Sequence, residues 1–198
     1  GHGTRWQDII GVSAEDWVQD LEEAKLRLES RCRRIFVLGL SMGGTLALRL
    51  AQLHPEIKGV AVINHALLFN NPLTPFASYL KYLVPSTPAI ASDIKDPAEK
   101  EPAYERTPSA GVAELYRLAQ KVRKELPALR LPLLIFKSRE DHVLPLSNAT
   151  VTLQEAGSAD KELVWLENSF HVATMDFDKD LIADRCLAFI QRLSGDTP

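Results

Sequence analysis

The stretch IFVLGLSMGG, residues 35–44, decides the fold of this chain. Its apolar first part predicts a short buried strand over 34–40, and the apolar spacing over 42–53 predicts a helix directly afterwards. Ser41 therefore lies where a strand meets a helix. In that context the pattern Gly39-x-Ser41-x-Gly43 predicts a sharp turn that projects the serine hydroxyl above the sheet. The small flanking residues are expected to avoid a steric clash.

Strands alternate with helices along most of the chain. Three further apolar runs predict buried strands: GVAVIN (59–64), LPLLIFK (131–137) and ELVWLE (162–167). Helices are predicted over 13–30, where Ser13 and Asp16 form a capping box, and over 146–156 and 178–193. This alternation predicts an α/β fold in which helices cover a parallel sheet.

Residues 65–127 interrupt the alternation. They contain no convincing strand, many of the chain's 12 prolines and several aromatic side chains. A disordered linker would be poorer in aromatic residues, so a small helical cap over the carboxyl edge of the sheet is expected. The predicted organisation is a first part of the core at 1–64, the cap at 65–127 and a second part of the core at 128–198.

Composition narrows the class of protein. A formal net charge of -3 gives no electrostatic reason to expect nucleic acid or an anionic membrane as a partner. No apolar run approaches the roughly 18 residues of a membrane span, and no signal peptide is visible. Cys32 and Cys186 show neither a disulfide framework nor metal-ligand spacing, and we expect buried or half-buried thiols on helices. A cytoplasmic location is the expectation.

A serine hydroxyl is a weak nucleophile and needs a base that an acid holds in place. Among the five histidines, His171 lies on the loop between the last predicted strand and the last helix, where its ring can reach Ser41. His54 ends a helix and His142 directly follows the candidate acid, so neither is favoured. His65 follows the second strand and is expected to face the cleft or the cap, where a substrate contact stays open. His2 belongs to an N-terminal Gly-His-Gly element.

The acid is expected in the segment SREDHVLP, residues 138–145, which follows the third predicted strand. Asp141 is the candidate and Glu140 is its competitor. The spacing Asp-x-Val-x-Pro favours Asp141, because the loop must turn directly after the acid. The chain order is then Ser41, Asp141, His171, the serine–acid–histidine order of α/β-hydrolases.

Three segments resemble the bacterial carboxylesterases and monoacylglycerol lipases of the α/β-hydrolase superfamily: GLSMGG, SREDHVLP and SFHVATMDFDKD (169–180). The resemblance extends to residues 1–4, to Asp16-Trp17 and to residues 92–95, and so covers essentially the whole chain. It implies an α/β-hydrolase fold with a small helical cap. It also implies that Ser41 is the nucleophile, His171 the general base, Asp141 its orienting acid, and the Met42 amide one oxyanion donor.

The chain departs from that family at its beginning. In the family, strands precede a Gly-His-Gly element and an earlier loop supplies a second oxyanion donor, whereas this sequence starts at Gly1-His2-Gly3. The expectation is that the N-terminal strands are absent. The strand that ends at Leu40 would then have an unpaired edge, covered by a second copy of the chain or by a missing N-terminal piece. Loss of one oxyanion donor typically costs about 2.7–4 kcal/mol in the transition state.

The implied reaction is acyl transfer from a small-molecule ester through an acyl-enzyme, without a metal or organic cofactor. Apolar cap side chains suggest short- to medium-chain esters or monoacylglycerols, although the same side chains would also serve simply to pack the cap onto the core. A thioesterase, amidase or haloperoxidase-like hydrolase is the alternative enzyme, since one triad serves several leaving groups. A weakly active fragment that acts as an assembly or binding module is the alternative outside enzymes.

Overall fold

A computed structural model describes residues 3–89 and 92–195 of the chain. Gly1 and His2, and with them most of the N-terminal Gly-His-Gly element, lie outside these residues. The strands are β1 (Phe36–Leu40), β2 (Gly59–Ile63), β3 (Ser86–Pro88), β4 (Arg106–Pro108), β5 (Leu133–Ser138) and β6 (Lys161–Leu166). The helices are α1 (Ala14–Glu29), α2 (Met42–Leu53), α3 (Ala77–Leu80), α4 (Ser109–Glu125), α5 (Ser147–Glu155) and α6 (Lys179–Ser194). Short 3₁₀ turns lie at Trp6–Ile9, Thr74–Phe76, Leu126–Ala128 and Ala173–Met175.

The main sheet confirms the predicted parallel α/β architecture. Its strand order is β1-β2-β5-β6, and each neighbouring pair is parallel. The carboxyl ends of all four strands therefore meet at one edge of the sheet, where ligand and catalytic sites of such sheets form. The helix after Ser41 has its predicted bounds, and Ser13 and Asp16 form the predicted capping box of α1.

Both faces of the sheet are covered. Val62 and Ile135 point into a core shared with α1, α2 and α4, whereas Ile63 and Phe136 point into a second core against α6. Successive residues of a strand face opposite sides, so a strand buried on both faces must be apolar at nearly every position. That requirement explains the continuous apolar runs of β2 and β5.

The segment 65–127 differs from its expectation in one respect. It contains an antiparallel pair of strands, β3 and β4, in which Thr87 lies opposite Thr107, so the expectation that it holds no strand is wrong. Each strand has only three residues and includes a proline, too short for an alternating pattern to show. Within the same segment, Leu118 and Val122 of α4 join the main core. The boundaries 1–64, 65–127 and 128–198 stay a prediction.

Three side chains are more exposed than expected. Helical spacing places Leu28 on the apolar stripe of α1 and Leu181 on that of α6, but these side chains are 47% and 41% exposed, so each helix contacts the core over a narrower face. Cys32 is exposed in the loop between α1 and β1, not buried on a helix. Cys186 lies buried in α6 as expected.

β1 is an outer strand of the four-stranded sheet, and its Leu38 side chain is 46% exposed. A second copy of the chain at this edge stays a prediction. Within residues 3–89 and 92–195, no helix combines the length and the apolar character that a membrane crossing requires.

Candidate active site

Ser41 occupies a strained turn between β1 and α2. Its φ of 54° and ψ of −120° lie outside the regions that a serine ordinarily adopts. Neighbouring backbone holds the turn: the Ser41 amide donates to the Ile63 carbonyl at 2.9 Å, and the Ser41 carbonyl accepts from the Gly44 amide at 3.0 Å. The turn therefore presents the Ser41 side chain at the carboxyl edge of the sheet, as the motif predicts.

The glycines around Ser41 have unequal roles. A Cβ atom on Gly39 would lie 2.1 Å from the Gly43 carbonyl oxygen, and one on Gly44 would lie 2.6 Å from the His65 Cβ. A Cβ on Gly43 would meet no atom within 4 Å. The expectation that Gly43 avoids a clash is therefore wrong. The crowded pair is Gly39 and Gly44, because α2 starts directly against the end of β1.

His171 lies on the loop between β6 and α6 and reaches the serine. Its Nε2 is 2.8 Å from the Ser41 Oγ, and its Nδ1 is 3.0 Å from each carboxylate oxygen of Asp141. Since an ionised carboxylate only accepts hydrogen bonds, Nδ1–H donates to Asp141 and Nε2 is left to accept from the hydroxyl. The three residues named from the sequence thus form one hydrogen-bonded chain.

The side chain of Asp141 is fully buried and has several donors. Its Oδ1 accepts from the amides of Val143 and Leu144, each at 2.9 Å. Its Oδ2 pairs with the ammonium group of Lys137, whose side chain is also fully buried. Burial alone would raise the pKa of Asp141, but the hydrogen bond and charge of His171, and then the charge of Lys137, lower it to about 2. Asp141 is therefore a carboxylate at neutral pH.

The competitor Glu140 is placed differently. Its side chain is about half exposed and pairs with Lys95 at 2.6 Å. Its carboxylate is thus paired at the surface, on the outer side of residues 139–146, the loop between β5 and α5 that is here called the acid loop.

Three other histidines contact residues outside the Ser41–His171–Asp141 chain. His65 is fully buried and its Nε2 lies 2.7 Å from the Thr152 hydroxyl, so the expectation that it faces the cleft or cap is wrong. Burial, and then the charge of Lys137, lower the pKa of His65 to about 3, so its ring is neutral. His54 lies between Glu22 and Glu56 at the end of α2. His142 turns outward, with its Nδ1 2.8 Å from Asp93 and its ring against Phe170.

Two buried polar residues hold the His171 loop from the core. The Asn64 side chain, at the end of β2, donates to the His171 carbonyl at 2.7 Å and accepts from the Ser138 amide at 2.9 Å. The Ser138 hydroxyl donates to the Phe170 carbonyl at 2.7 Å. Asn64 has a φ of 44°, a left-handed conformation that asparagine tolerates better than most residues.

Residues 92–96, here called the cap strap, hold the same loop from the other side. The Asp93 carboxylate accepts from the His171 amide at 3.0 Å, and the Asp93 carbonyl accepts from the Val172 amide at 3.1 Å. Asp176 accepts from the strap amides of Lys95 and Asp96. Burial would raise the pKa of Asp176, but its backbone hydrogen bonds, led by that from Lys95, outweigh burial and lower it.

Sequence reasoning missed the roles of Lys137, Asn64 and Asp93. Lys137 ends the run LPLLIFK, and a lysine in a strand expected to be buried on both faces is a detectable signal. Asn64 was included in a predicted strand, although an asparagine directly after an apolar run also indicates a turn. Asp93 lies in the family-like segment 92–95, but nothing in its sequence surroundings shows that its partner is 78 residues away.

Met42 is the first residue of α2, so its amide belongs to the helix N-terminus that faces the Ser41 turn. Its role as an oxyanion donor stays a prediction, as does the identity of a second donor. Across the described residues, no three histidine, cysteine or acidic side chains are grouped as a metal site would need.

Comparison with known proteins gives a matching family model and named relatives. A family model described as serine aminopeptidase, S33 (Hydrolase_4), matches residues 1–178. The thermostable monoacylglycerol lipase of Bacillus sp. (strain H-257) is 43% identical over 198 residues, which cover 98% of this chain and 78% of the relative. The carboxylesterase of Bacillus subtilis (strain 168) is 26% identical over 201 residues, with coverage of 98% and 78%.

Solved structures of lipolytic enzymes are also similar to this chain. A structure from the metagenome-derived lipolytic enzymes LipS and LipT is 41% identical, with a TM-score of 0.93 and coverage of 97% of this chain and 79% of that one. The monoglyceride lipase of Saccharomyces cerevisiae, at 18% identity, shares the fold with a TM-score of 0.74 and coverage of 90% and 68%. The family match and the 43% identical relative together establish that this chain belongs to the serine aminopeptidase S33 (Hydrolase_4) family of α/β-hydrolases.

Proposed function

We propose that this chain is a serine carboxylesterase that hydrolyses short- to medium-chain carboxylic esters or monoacylglycerols through an acyl-enzyme. The observation that carries the proposal is the chain of hydrogen bonds from the Ser41 hydroxyl through the His171 ring to Asp141. Its ester specificity is supported by relatives named monoacylglycerol lipase and carboxylesterase.

The Ser41 hydroxyl attacks the ester carbonyl while His171 Nε2 takes its proton. Asp141 holds the ring in the tautomer that leaves Nε2 free to accept, and its negative charge stabilises the imidazolium that forms. The negative charge on the former carbonyl oxygen develops at the N-terminus of α2, where the Met42 amide donates to it. His171 then gives the proton to the departing alcohol.

Water completes the reaction. His171 removes a proton from a water molecule, which attacks the acyl-Ser41 carbonyl, and the same proton returns to Ser41 as the carboxylic acid leaves. The cap supplies the contacts for the acyl chain. Its exposed apolar side chains support an apolar substrate; they include Leu73, Phe76, Tyr79, Tyr82 and Leu83.

Hydrolysis of p-nitrophenyl esters with acyl chains from two to twelve carbons tests the proposal, together with monolauroylglycerol as a lipid substrate. We expect Ser41→Ala to lower kcat by roughly 10⁴-fold or more, because the nucleophile is lost. A fluorophosphonate should add one label to the wild-type protein, on Ser41, as peptide mass spectrometry would detect. Ser30→Ala, at an exposed serine that ends α1, is the matched control and should keep both properties.

Equal rates for wild type and Ser41→Ala would contradict the proposed function. Ser41-dependent cleavage of a p-nitroanilide or a thioester in preference to the esters would instead support the amidase or thioesterase alternative.

A further inference from the structure

Lys137 is a buried cation at the back of the candidate active site. It lies in β5, an inner strand of the sheet, and its side chain is fully buried. Lysine is almost never fully buried unless its charge is paired, because removal of an ammonium group from water is costly. Such a residue near the carboxyl end of a strand whose first four residues are apolar therefore requires a specific partner.

That partner is the catalytic acid candidate. The Lys137 Nζ pairs with the Asp141 Oδ2 and donates to the Leu144 carbonyl at 3.0 Å. The Leu144 amide in turn donates to the Asp141 Oδ1 at 2.9 Å. Lys137 thus closes a ring of hydrogen bonds that fixes both the carboxylate and the turn behind it. Burial lowers the pKa of Lys137, and the charge of Asp141 opposes that shift.

The second buried lysine of the described residues provides a contrast. Lys25, in α1, is 5% exposed and pairs with Glu29 at 2.7 Å and Glu56 at 2.6 Å. These partners are half exposed and belong to α1 and to the turn after α2. Lys25 therefore joins two elements of the scaffold, whereas Lys137 touches a member of the triad.

We propose that Lys137 is a positioning residue of the Ser41–His171–Asp141 triad. It holds the Asp141 carboxylate in the orientation that meets His171, and its positive charge sets the acid limb of the pH–rate profile. This inference rests on the proposed function, since it assigns to Lys137 an effect on the same reaction.

The effect of Lys137 on the pH–rate profile follows from the balance of buried charges around His171. With Lys137 present, the carboxylate is neutralised, and protonation of His171 adds a net positive charge to a buried site. Without the lysine, the same protonation neutralises a lone carboxylate and becomes more favourable. Since a protonated His171 cannot act as the base, loss of the Lys137 charge should move the acid limb to higher pH.

The other charged groups around the triad are few. His65, behind Lys137 on the β2 side, is neutral because its pKa is lowered to about 3. Asp93 on the cap strap accepts from the His171 amide, and Asp176 accepts from the Phe170 amide. His142 and Glu140 lie further out on the acid loop, and Glu140 pairs with Lys95 of the cap strap. All of these remain in a Lys137 variant, so a shift reports the charge of Lys137.

The test measures kcat and kcat/KM for p-nitrophenyl butyrate between pH 4.5 and 9. It compares wild type with Lys137→Met, which has similar length without charge, and Lys137→Gln, which keeps a donor without charge. We expect both variants to shift the acid limb upward by about 1 pH unit. We also expect kcat on the plateau to fall about tenfold with KM nearly unchanged, because Lys137 reaches the substrate only through Asp141. Lys137→Gln should keep part of the plateau kcat that Lys137→Met loses but should show the full shift of the acid limb.

Lys25→Met is the matched control for removal of a buried lysine. It should lower the thermal midpoint of unfolding and leave the acid limb in place. An unshifted acid limb in a folded Lys137 variant would overturn the proposal, as would an equal shift in Lys25→Met. If neither Lys137 variant folds, Lys137 has only a structural role in the core, and this result would also overturn the proposal. Absence of Ser41-dependent turnover in wild type would overturn the proposed function itself, and the inference with it.

Discussion

The loop that carries His171 is held from two sides, and the two sides are built differently. On the core side, Asn64 and Ser138 are fully buried at the ends of inner strands and hold the carbonyls of Phe170 and His171. On the cap side, Asp93 holds the His171 amide from the half-buried strap at 92–96. The core therefore holds the loop through its carbonyls, and the cap holds the amides of His171 and Val172.

This difference separates the groups that place the triad from the groups that attach the cap to it. Ser41, Asp141 and His171 all follow strands of the main sheet, so their separation depends on the sheet. The cap meets them through a small set of hydrogen bonds centred on Asp93 and Asp176. Changes on the core side should therefore affect stability and turnover together, and changes on the cap side mainly turnover.

The largest effect is expected at the Ser41 turn. Gly39→Ala would place a Cβ against the Gly43 carbonyl at 2.1 Å, so β1 and α2 must separate. We expect the free energy of unfolding to fall by about 3 kcal/mol and turnover to fall more than 100-fold. Urea unfolding and ester hydrolysis would measure both.

Gly43→Ala is the matched variant, because its Cβ has open space. It should be neutral or raise the free energy of unfolding by up to about 1 kcal/mol, since alanine favours the helix. Equal destabilisation by the two variants would show that the crowding at Gly39 does not control the turn.

The next effect concerns the core-side anchor. Asn64→Ala removes the bonds to Ser138 and to the His171 carbonyl and leaves buried groups unpaired. We expect a loss of about 2–3 kcal/mol in the free energy of unfolding and a decrease of roughly 30-fold in kcat. Chemical denaturation and steady-state kinetics test this. Full stability together with low activity would contradict the assignment of Asn64 to the core side.

The smallest effect concerns the cap-side anchor. Asp93→Ala removes the acceptor for the His171 amide but leaves the core contacts of the loop in place. We expect about 1 kcal/mol less stability and a roughly tenfold lower kcat. Glu99→Gln, which disrupts only the exposed pair with Lys179, is the control and should change neither quantity measurably. A stability loss at Asp93 as large as that at Asn64 would remove the distinction between the two sides.

Much of the molecule follows from local sequence patterns. The four strands, the turn at Ser41 and the order of the three site residues are readable because each depends on residues within one short segment. The bonds of Asn64 and Asp93 to the His171 loop are not readable, because they join residues 107 and 78 positions apart. The openness at Gly43 and the crowding at Gly44 depend on how α2 approaches His65, which no local pattern encodes.

The exposed thiol of Cys32 has a practical consequence for the use of this protein on surfaces. Cys32 precedes β1, whereas Ser41 follows it, so the two residues lie at opposite ends of a strand that spans roughly 17 Å. Cys186 is buried, and burial raises the pKa of its thiol, which slows its reaction with maleimides. Coupling through Cys32 would therefore immobilise the protein in one orientation, with the catalytic edge directed away from the support.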